Sequence, residues 1–314
     1  MSVRRYLRKL VSQGVVESWI TGTYSMKTIL NSHSRTGRSK SFSAPTGGGR
    51  IGLGVLSIGA LAICLAYPGL SYAKSGDQDL AKQLSNPLAS LISVPIQSNY
   101  NQGYGSADGE KFLTNVQPVI PITLNEDWNL ITRTIVPVIY QDDIAGRSGS
   151  QFGLGDTTAS LWLSPKEPTS FGLVWGVGPI IYIPTSTDSL LGVGEWGAGP
   201  TVVGLVQKGP WTIVGLANHV WTFDNDDINS TFLQPILSYS TPTAWTFAIN
   251  TESSYDWNDN DWAVPINAMV SKLVNIGGQR VQFQVGLRRW ITSSDGGPDG
   301  WGGRFAVTLL FPKK

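Results

Sequence analysis

The sequence is poor in several residue types that mark other classes of protein. Its one cysteine, Cys64, lies early in the chain, so the remainder has no disulfide framework and no cysteine-ligated metal site. Charged residues make up 14% of the 314 residues, below the ~25% of ordinary globular domains. No G-x-S-x-G, zinc-ligand spacing or phosphate-binding loop occurs. These absences argue against disulfide scaffolds, zinc enzymes and nucleotide-binding enzymes.

Long apolar runs and net positive charge are missing from most of the chain. After residue 73 there is no run of 18 apolar residues, so the sequence predicts no membrane-spanning helix there. The same part carries 14 basic and 21 acidic residues, a net charge of −7. Nucleic-acid binding usually relies on a basic face, and we therefore expect no nucleic-acid partner.

The first 73 residues have a different composition from the rest. They hold nine basic residues and one acidic residue, followed by the uncharged apolar segment Ile51–Ala66. Tyr67-Pro68-Gly69 interrupts this segment, and small residues occupy positions 71 and 73. A basic region, an apolar core and a small-x-small site are typical of a secretory signal. We predict a targeting segment over residues 1–73 that is cleaved after Ala73.

Two alternatives for this segment are weaker. The first alternative is a transmembrane anchor, but the apolar core Ile51–Ala66 is short for one and ends in a chain breaker. Leu61-Ala62-Ile63-Cys64 is similar to a lipoprotein box, but Ile63 is large for the position before the cleavage site. The basic region is longer than usual for a signal peptide, which suggests a start codon assigned too early, with Met26 or a non-Met start near Arg50 as the true start.

The clearest structural pattern in the chain lies at Ala244–Trp257. Alternate residues place aromatics at both ends of one face, while Asn250 and Glu252 lie on the other. A period of two is that of a β-strand. From Trp245 to Tyr255 the strand measures roughly 33 Å at ~3.3 Å per residue. Tilted by ~40° it spans about 25 Å, the height of the apolar band of an outer-membrane barrel. A soluble β-sandwich strand shows the same alternation and stays an alternative.

Eleven comparable segments bring the number of predicted strands to twelve. Each has roughly 10–14 residues, against a mode of ~5–6 in soluble sheets. Short connections alternate with longer ones rich in Asp, Gly and Ser, as they do in outer-membrane barrels. The predicted fold is all-β, a transmembrane antiparallel up-and-down barrel of about 12 strands over residues 91–314. A periplasmic leader at 74–90, with a short helix at Asp79–Leu84, precedes it. The strands are predicted at 91–101, 111–124, 128–141, 153–164, 171–183, 196–207, 211–223, 231–240, 244–257, 262–273, 281–291 and 301–311.

Turn positions and aromatic residues allow a register to be predicted for several hairpins. In the last strand, Phe305 and Phe311 are expected on the outer face and Arg304 on the inner face. Barrel proteins often end in an aromatic residue that the assembly machinery reads, but here Pro312-Lys313-Lys314 follows Phe311. The predicted cross-strand pairs are Phe112 with Tyr140, Glu252 with Asn267, Arg288 with Arg304, and His219 with Pro235.

Several prolines fall inside the predicted strands, although proline removes a donor from the hydrogen-bond ladder. A closed barrel has no edge strand to accommodate them, so each needs a bulge or a non-bonded position. The sequence Gly-x-Gly-Pro occurs at 176–179 and at 197–200, and we expect it to bend two paired strands. The sequence offers no explanation for the others. These prolines include Pro121, Pro137, Pro179, Pro200, Pro235 and Pro265.

Several longer segments resemble a known family. They are NPLASLISVPIQSNYN, QPVIPITLNEDWNLITRTIVPVIYQDD, SQFGLGDTTASLWLSPK, EWGAGPTVVGLVQKGPWTIVGLANHVW, STFLQPILSYSTPTAWTFAINTESSYDW and GPDGWGGRFAVTLLFPK. They resemble proteobacterial outer-membrane proteins generally labelled "transporter" or, misleadingly, neuromedin-U-like. That family is related to the outer-membrane component of phenol meta-cleavage pathways. The resemblance covers about residues 80–314. It implies a signal peptide and an outer-membrane barrel, and it carries no catalytic residues.

Polar residues on the predicted inner face are the candidate lumen residues. Two facing arginines repel each other unless a carboxylate or a bound anion lies between them. The functional hypothesis is a basic lumen patch that attracts small anions. The alternative is that the acidic candidates neutralise the arginines and fill the lumen, since twelve strands lie between eight, which pack solid, and sixteen, which leave a channel. The candidates are Arg133, Asp156, Glu252, Arg288 and Arg304.

No catalytic residue, cofactor or metal site is predicted. His219 is the only histidine after residue 73, and the neighbouring strands offer it no nucleophile in the expected register, so we interpret it as structural or interfacial. Acidic runs at Asp142-Asp143, Asp224–Asp227 and Asp256–Asp261 carry the oxygen ligands that Ca²⁺ prefers. They lack a conventional loop motif, and solvated loop tips facing lipopolysaccharide are the favoured interpretation.

Together these patterns favour an outer-membrane channel that passively admits a small molecule. A hydrophobic or aromatic solute is implied by the family resemblance alone. The expected partners are outer-membrane lipid, lipopolysaccharide, the barrel-assembly machinery and a small-molecule solute. Two alternatives remain at this point: a structural or adhesive outer-membrane protein with a filled lumen, and a soluble secreted β-sandwich.

Overall fold

The computed structural model describes residues 76–224 and 227–311. The predicted targeting segment, with Cys64 and Ala73, lies outside these ranges. Within them, none of the helices combines the length and the apolar character needed to cross a membrane. The chain forms helix α1 (Asp77–Leu84), a short 3-10 helix (Gly105–Ala107) and strands β1 (Ile92–Tyr104), β2 (Gly109–Val116), β3 (Val119–Thr123), β4 (Trp128–Asp142), β5 (Ser150–Leu154), β6 (Thr157–Pro165), β7 (Leu173–Ile183), β8 (Gly197–Lys208), β9 (Trp211–Thr222), β10 (Asn229–Ser240), β11 (Trp245–Thr251), β12 (Ser253–Asp256), β13 (Asp261–Ile276), β14 (Gln279–Thr292) and β15 (Trp301–Phe311).

These strands form one closed antiparallel barrel. β15 returns to pair with β1, so that Phe311 lies opposite Ile92 and Gly303 lies opposite Tyr100. We call each single crossing of the barrel wall a stave. Three staves are interrupted and consist of two strands each: β2 with β3, β5 with β6, and β11 with β12. The wall therefore has twelve staves and no unpaired edge. This confirms the predicted twelve-stranded barrel and replaces the β-sandwich alternative.

The two faces of the wall differ in chemistry. Phe247 and Ile249 of β11 are 53% and 49% exposed on the outer face. Asn250 and Glu252 of the same stave are buried on the inner face. An apolar exterior around a polar interior is typical of outer-membrane barrels. The predicted facing of this stave is confirmed, and β15 likewise exposes Phe305 while burying Arg304.

The connections fall into two sets at opposite ends of the barrel. We call the end where β1 begins and β15 ends the turn end. Its connections include the two-residue links 209–210 and 277–278. The opposite, loop end carries the longest connection, residues 184–196.

The prolines within the strands lie beside interruptions of the hydrogen-bond ladder. Pro137 falls between the residues of β4 that pair with β5 and those that pair with β6. Pro235 lies between the residues of β10 that pair with β11 and those that pair with β12. Pro265 lies at a register shift between β13 and β14. Pro121 follows Val119, through which β3 pairs with β1. Proline has no N–H to donate, so at these positions it removes few hydrogen bonds from the ladder. This explains why these prolines are tolerated inside strands, which the sequence alone did not.

The repeated Gly-x-Gly-Pro lies at a matched pair of interruptions in the hydrogen-bond ladder. Pro179 of β7 lies opposite Pro200 of β8, and pairing is interrupted next to both, in the β6–β7 and β8–β9 ladders. A Cβ atom on Gly178 would lie 1.8 Å from the carbonyl oxygen of Leu161, and one on Gly199 would lie 1.6 Å from that of His219. Only glycine permits so close an approach of two backbones. The interruptions in these paired strands therefore have a steric cause, and the bend expected from the sequence stays a prediction.

One register prediction is confirmed, since Phe112 lies opposite Tyr140. The hairpin of β12 and β13 is shifted by two residues, and Asn267 faces Asn250 instead of Glu252. The cause is Asp256, whose carboxylate accepts the backbone N–H groups of Asn258 and Asp259 and so starts the turn earlier.

Two further register predictions are wrong by an even number of residues. Arg288 faces Gly302 and not Arg304, because Trp290 N–H bonds to the Gly300 carbonyl and closes that loop earlier than expected. His219 faces Thr231 and not Pro235, since the loop before β10 closes at Thr222. An even shift keeps every side chain on its predicted face.

The close approach at Gly199 predicts a position-specific folding defect. Gly199→Ala should destabilise the barrel by about 1–3 kcal/mol or more because the new methyl group has to displace backbone. Gly215→Ala is the matched control, since a Cβ there meets nothing within 4 Å. The folded fraction after refolding into detergent, read from heat-modifiable gel mobility, separates the two. Equal folding of both variants would contradict the steric account.

Candidate functional site

A buried ionic cluster crosses one side of the lumen. Glu252 sits at the interruption between β11 and β12, and its Oε2 accepts hydrogen bonds from Arg288 Nη2 and from Arg304 Nη2, the latter at 2.6 Å. The three residues are 8%, 1% and 5% exposed, respectively. We call them the arginine brace. Because both cations share one carboxylate oxygen, the brace resolves the repulsion that two neighbouring arginines would otherwise have.

Asparagine side chains hold the two arginines in place. Arg288 Nε donates to Asn267 Oδ1 at 2.7 Å, and Arg304 Nε donates to Asn99 Oδ1 at 2.7 Å. Asn267 in turn donates to Asn250 Oδ1 at 2.8 Å. The network therefore links β11, β13, β14, β15 and β1. Buried charges are tolerated only when they are paired and hydrogen-bonded in this way.

A third arginine lies in the same lumen. Arg133 of β4 donates from Nη2 to Gln117 Oε1, at the interruption between β2 and β3. Within the described ranges, no carboxylate lies at ion-pair distance from Arg133. Arg133 and the brace therefore comprise three arginines and one glutamate, a net charge of +2.

Asp156, the remaining candidate, serves a different role. It lies at the interruption between β5 and β6, where its carboxylate accepts the backbone N–H groups of Ser186 and Gly194, both at 2.8 Å, and the Tyr182 hydroxyl at 3.2 Å. These contacts anchor loop 184–196, which turns inward at the loop end. The structure thus brings Arg288, Arg304 and Glu252 together and places Asp156 outside the cluster.

The same loop covers the barrel at its loop end. Leu191 is fully buried against Leu113 and Ile139 of the wall. Gln141 Nε2 donates to the Leu190 carbonyl at 2.9 Å. We call residues 184–196 the outer plug.

Helix α1 covers the turn end. Ala81 is fully buried among Ala244, Leu273 and Leu310 of the inner wall. Asp77 forms an ion pair of 2.7 Å with Arg280 of β14, and Gln207 of β8 donates to the Lys82 carbonyl at 3.0 Å. We call residues 77–91 the inner plug. The short helix expected from the sequence is present, but the leader folds into the barrel mouth.

A cavity of about 220 Å³ lies in the lumen beside the inner plug. Arg133, Arg304 and Glu252 line it, together with neutral polar side chains such as Gln234 of β10. Val214, Leu216 and Ile236 add an apolar patch on β9 and β10. The lining of the cavity therefore combines charged, neutral polar and apolar side chains.

The other sequence candidates do not form a comparable site. His219 Nδ1 lies 2.8 Å from Thr231 Oγ1, beside the rings of Trp221 and Trp257, which fits an interfacial side chain. Among the described residues, no group of three or more His, Cys, Asp or Glu side chains is placed to hold a metal ion. The acidic run Asp224–Asp227 falls partly outside the described ranges.

Sequence reasoning missed the asparagines and both plugs. Asn99 and Asn101 alternate on β1, and this polar alternation was the available signal for an inward face. The inner plug had a weaker signal, the apolar residues Leu80, Leu84 and Leu88 in an otherwise polar leader. Nothing local in 184–196 indicates that it turns inward, because its anchor Asp156 lies about thirty residues away.

Comparison with solved structures places the chain among outer-membrane barrels by fold. An outer membrane channel from Pseudomonas putida F1 superposes with a TM-score of 0.56 and 15% identity, over 71% of this chain and 96% of that chain. Outer membrane phospholipase A from Escherichia coli gives 0.46 and 11%, over 70% and 90%. The KdgM porin gives 0.40 and 9%, over 70% and 100%.

No family model and no curated protein matches this sequence. At these identities the likeness shows the fold alone. The resemblance to the proteobacterial "transporter" family therefore stays a prediction at the level of the family.

We expect removal of the Glu252 carboxylate from the brace to lower the free energy of unfolding strongly. Glu252→Gln leaves two buried arginines without a counter-charge and should destabilise the barrel by about 3–5 kcal/mol. The free energy of unfolding in denaturant, measured in lipid vesicles, checks this. Glu126→Gln, at an exposed turn, is the charge-matched control and should leave stability unchanged. Equal stability of the two variants would contradict the role given to Glu252.

Proposed function

We propose that this chain is an outer-membrane channel that passively admits small solutes. The observation that carries the proposal is a solute-sized cavity of about 220 Å³ inside a closed barrel. A wall without edges and with an apolar exterior suits a bilayer, and a polar interior provides the path for a solute. The net charge of +2 beside the cavity favours neutral and anionic solutes over cations.

The described state corresponds to the closed form of this channel. The outer plug covers the loop end and the inner plug covers the turn end, so passage requires at least one of them to move. Few polar contacts hold the inner plug: the Asp77–Arg280 ion pair and hydrogen bonds such as that from Gln207 to Lys82. We therefore assign the gating movement to residues 77–91.

Export and membrane location form part of the same proposal. Residues 1–73 act as a secretory signal that is removed after Ala73, and the barrel inserts into the outer membrane through the assembly machinery. The exposed aromatic side chains of the outer face, such as Phe247 and Phe305, then contact lipid, and the loop end contacts lipopolysaccharide. A hydrophobic or aromatic solute rests on the family resemblance, and the residues of the cavity add the charge preference.

A filled barrel with a structural or adhesive role is the second candidate. Its support is specific: the brace occupies one side of the lumen, and each mouth carries a plug. The two candidates differ in one observable, since a channel opens in a planar bilayer and a filled barrel does not.

The ion pair of the inner plug provides a gating prediction. Asp77→Arg places two cations together and should raise the frequency of pore opening by about fivefold, the equivalent of a partly exposed ion pair of ~1 kcal/mol. Adding Arg280→Asp restores the pair with reversed charges and should return opening to the wild-type frequency. Single-channel recording in planar bilayers measures both.

Asp79→Arg is the matched control, because Asp79 is exposed on the same helix. It changes the charge of α1 by the same amount without facing Arg280. If Asp79→Arg and Asp77→Arg have the same effect, the ion pair does not hold the plug. If the wild-type chain and all variants give no openings, the filled-barrel candidate is favoured.

A further inference from the structure

We propose that the central cavity is a binding site for a small organic monocarboxylate. In this site Arg133 and Arg304 bind the carboxylate, and Val214, Leu216 and Ile236 contact its apolar body. The inference names the solute class for the channel proposed above and rests on that function for its physiological meaning. Binding itself is measurable whether or not the channel conducts.

Arg304 retains hydrogen-bonding capacity towards the cavity. Its Nε donates to Asn99 and its Nη2 to Glu252, but its Nη1 has only the Met269 sulfur at 3.7 Å. A thioether is a weak acceptor, and a buried guanidinium N–H without a good acceptor carries a desolvation cost. An incoming carboxylate oxygen removes that cost.

Of the three lumen arginines, Arg133 is the one whose positive charge is least neutralised by a carboxylate. Its Nη2 donates to the neutral amide of Gln117, and within the described residues no carboxylate forms an ion pair with it. Among the described residues that line the cavity, Glu252 is the one carboxylate. It is already occupied, because both brace arginines donate to its Oε2 and Gln234 Nε2 donates to its Oε1 at 3.3 Å. A ligand with one negative charge therefore reduces the excess positive charge.

The apolar patch in the lining of the cavity suits an apolar ligand body. Val214 and Leu216 are buried in the apolar cluster of the lumen, with Ile236 packed against it, and these side chains cannot hydrogen-bond a second polar group. The volume of about 220 Å³ exceeds the ~150 Å³ cavity that accommodates benzene in another protein. A ring or branched chain of about six carbons with one carboxylate matches the size of the cavity and can place its apolar body against Val214, Leu216 and Ile236.

The test compares benzoate, benzamide and acetate on the wild-type chain purified in detergent, with isothermal titration calorimetry as the readout. Benzamide has nearly the same shape as benzoate but no charge, and acetate has the charge but no body. We expect benzoate to bind about 10- to 100-fold more tightly than benzamide, the range for hydrogen bonds to charged groups, and more tightly than acetate. Equal binding of benzoate and benzamide, or of benzoate and acetate, overturns the proposal, and this comparison requires no variant to fold.

Variants locate the site. Arg133→Gln should weaken benzoate binding at least tenfold, whereas Arg289→Gln, at an exposed arginine on β14, removes the same charge outside the cavity and should leave binding unchanged. Ile236→Phe reduces the cavity without altering charge and should weaken benzoate more than acetate. Equal effects of Arg133→Gln and Arg289→Gln would show association with the surface or the micelle and contradict the site.

This proposal and the channel proposal fail in different ways. Benzoate binding that depends on Arg133, in a protein that gives no pore openings, would support the site and overturn the channel. Pore openings combined with no charge-dependent binding would support the channel and overturn the site.

Discussion

In hydrocarbon, a backbone N–H or C=O group without a partner costs several kcal/mol, and this constraint determines the architecture of the wall. The pairing of β15 with β1 removes every edge. The same constraint explains the placement of proline and glycine. Pro137, Pro235 and Pro265 occupy positions where the ladder is already interrupted, so the missing donor removes few of its hydrogen bonds.

The interruptions also create the polar interior. Three staves are broken, and at each break lies a buried polar side chain: Gln117, Asp156 or Glu252. Gln117 orients Arg133, Asp156 anchors the outer plug, and Glu252 bridges Arg288 and Arg304. The irregularities of the wall thus supply the contacts that fill, brace and close the lumen. The arrangement leaves an excess of positive charge next to a cavity, which a purely structural filling would not require.

The period-two alternation in the sequence predicted the fold well, because a strand with one face in lipid and one in a polar lumen has little freedom in its facing. Each register error was an even number of residues, so Glu252 and Arg288 kept their predicted face even where their cross-strand partners were wrong. Loop-closing bonds such as those to Asp256 determine register, and alternation does not report them. The plugs were not predicted because they depend on contacts between distant segments, such as Gly194 with Asp156 and Ala81 with Leu310.

The central claim is that Arg133 and the brace give the lumen beside the cavity an unbalanced positive charge along a path for solutes. The most direct test is the reversal potential of the wild-type chain in planar bilayers under a gradient of potassium chloride. The account predicts pore openings with a reversal potential on the side of chloride selectivity, decreasing in magnitude as salt screens the lumen. A reversal potential on the side of potassium selectivity would contradict the account, as would the absence of openings from protein whose folded barrel is verified in the same membranes.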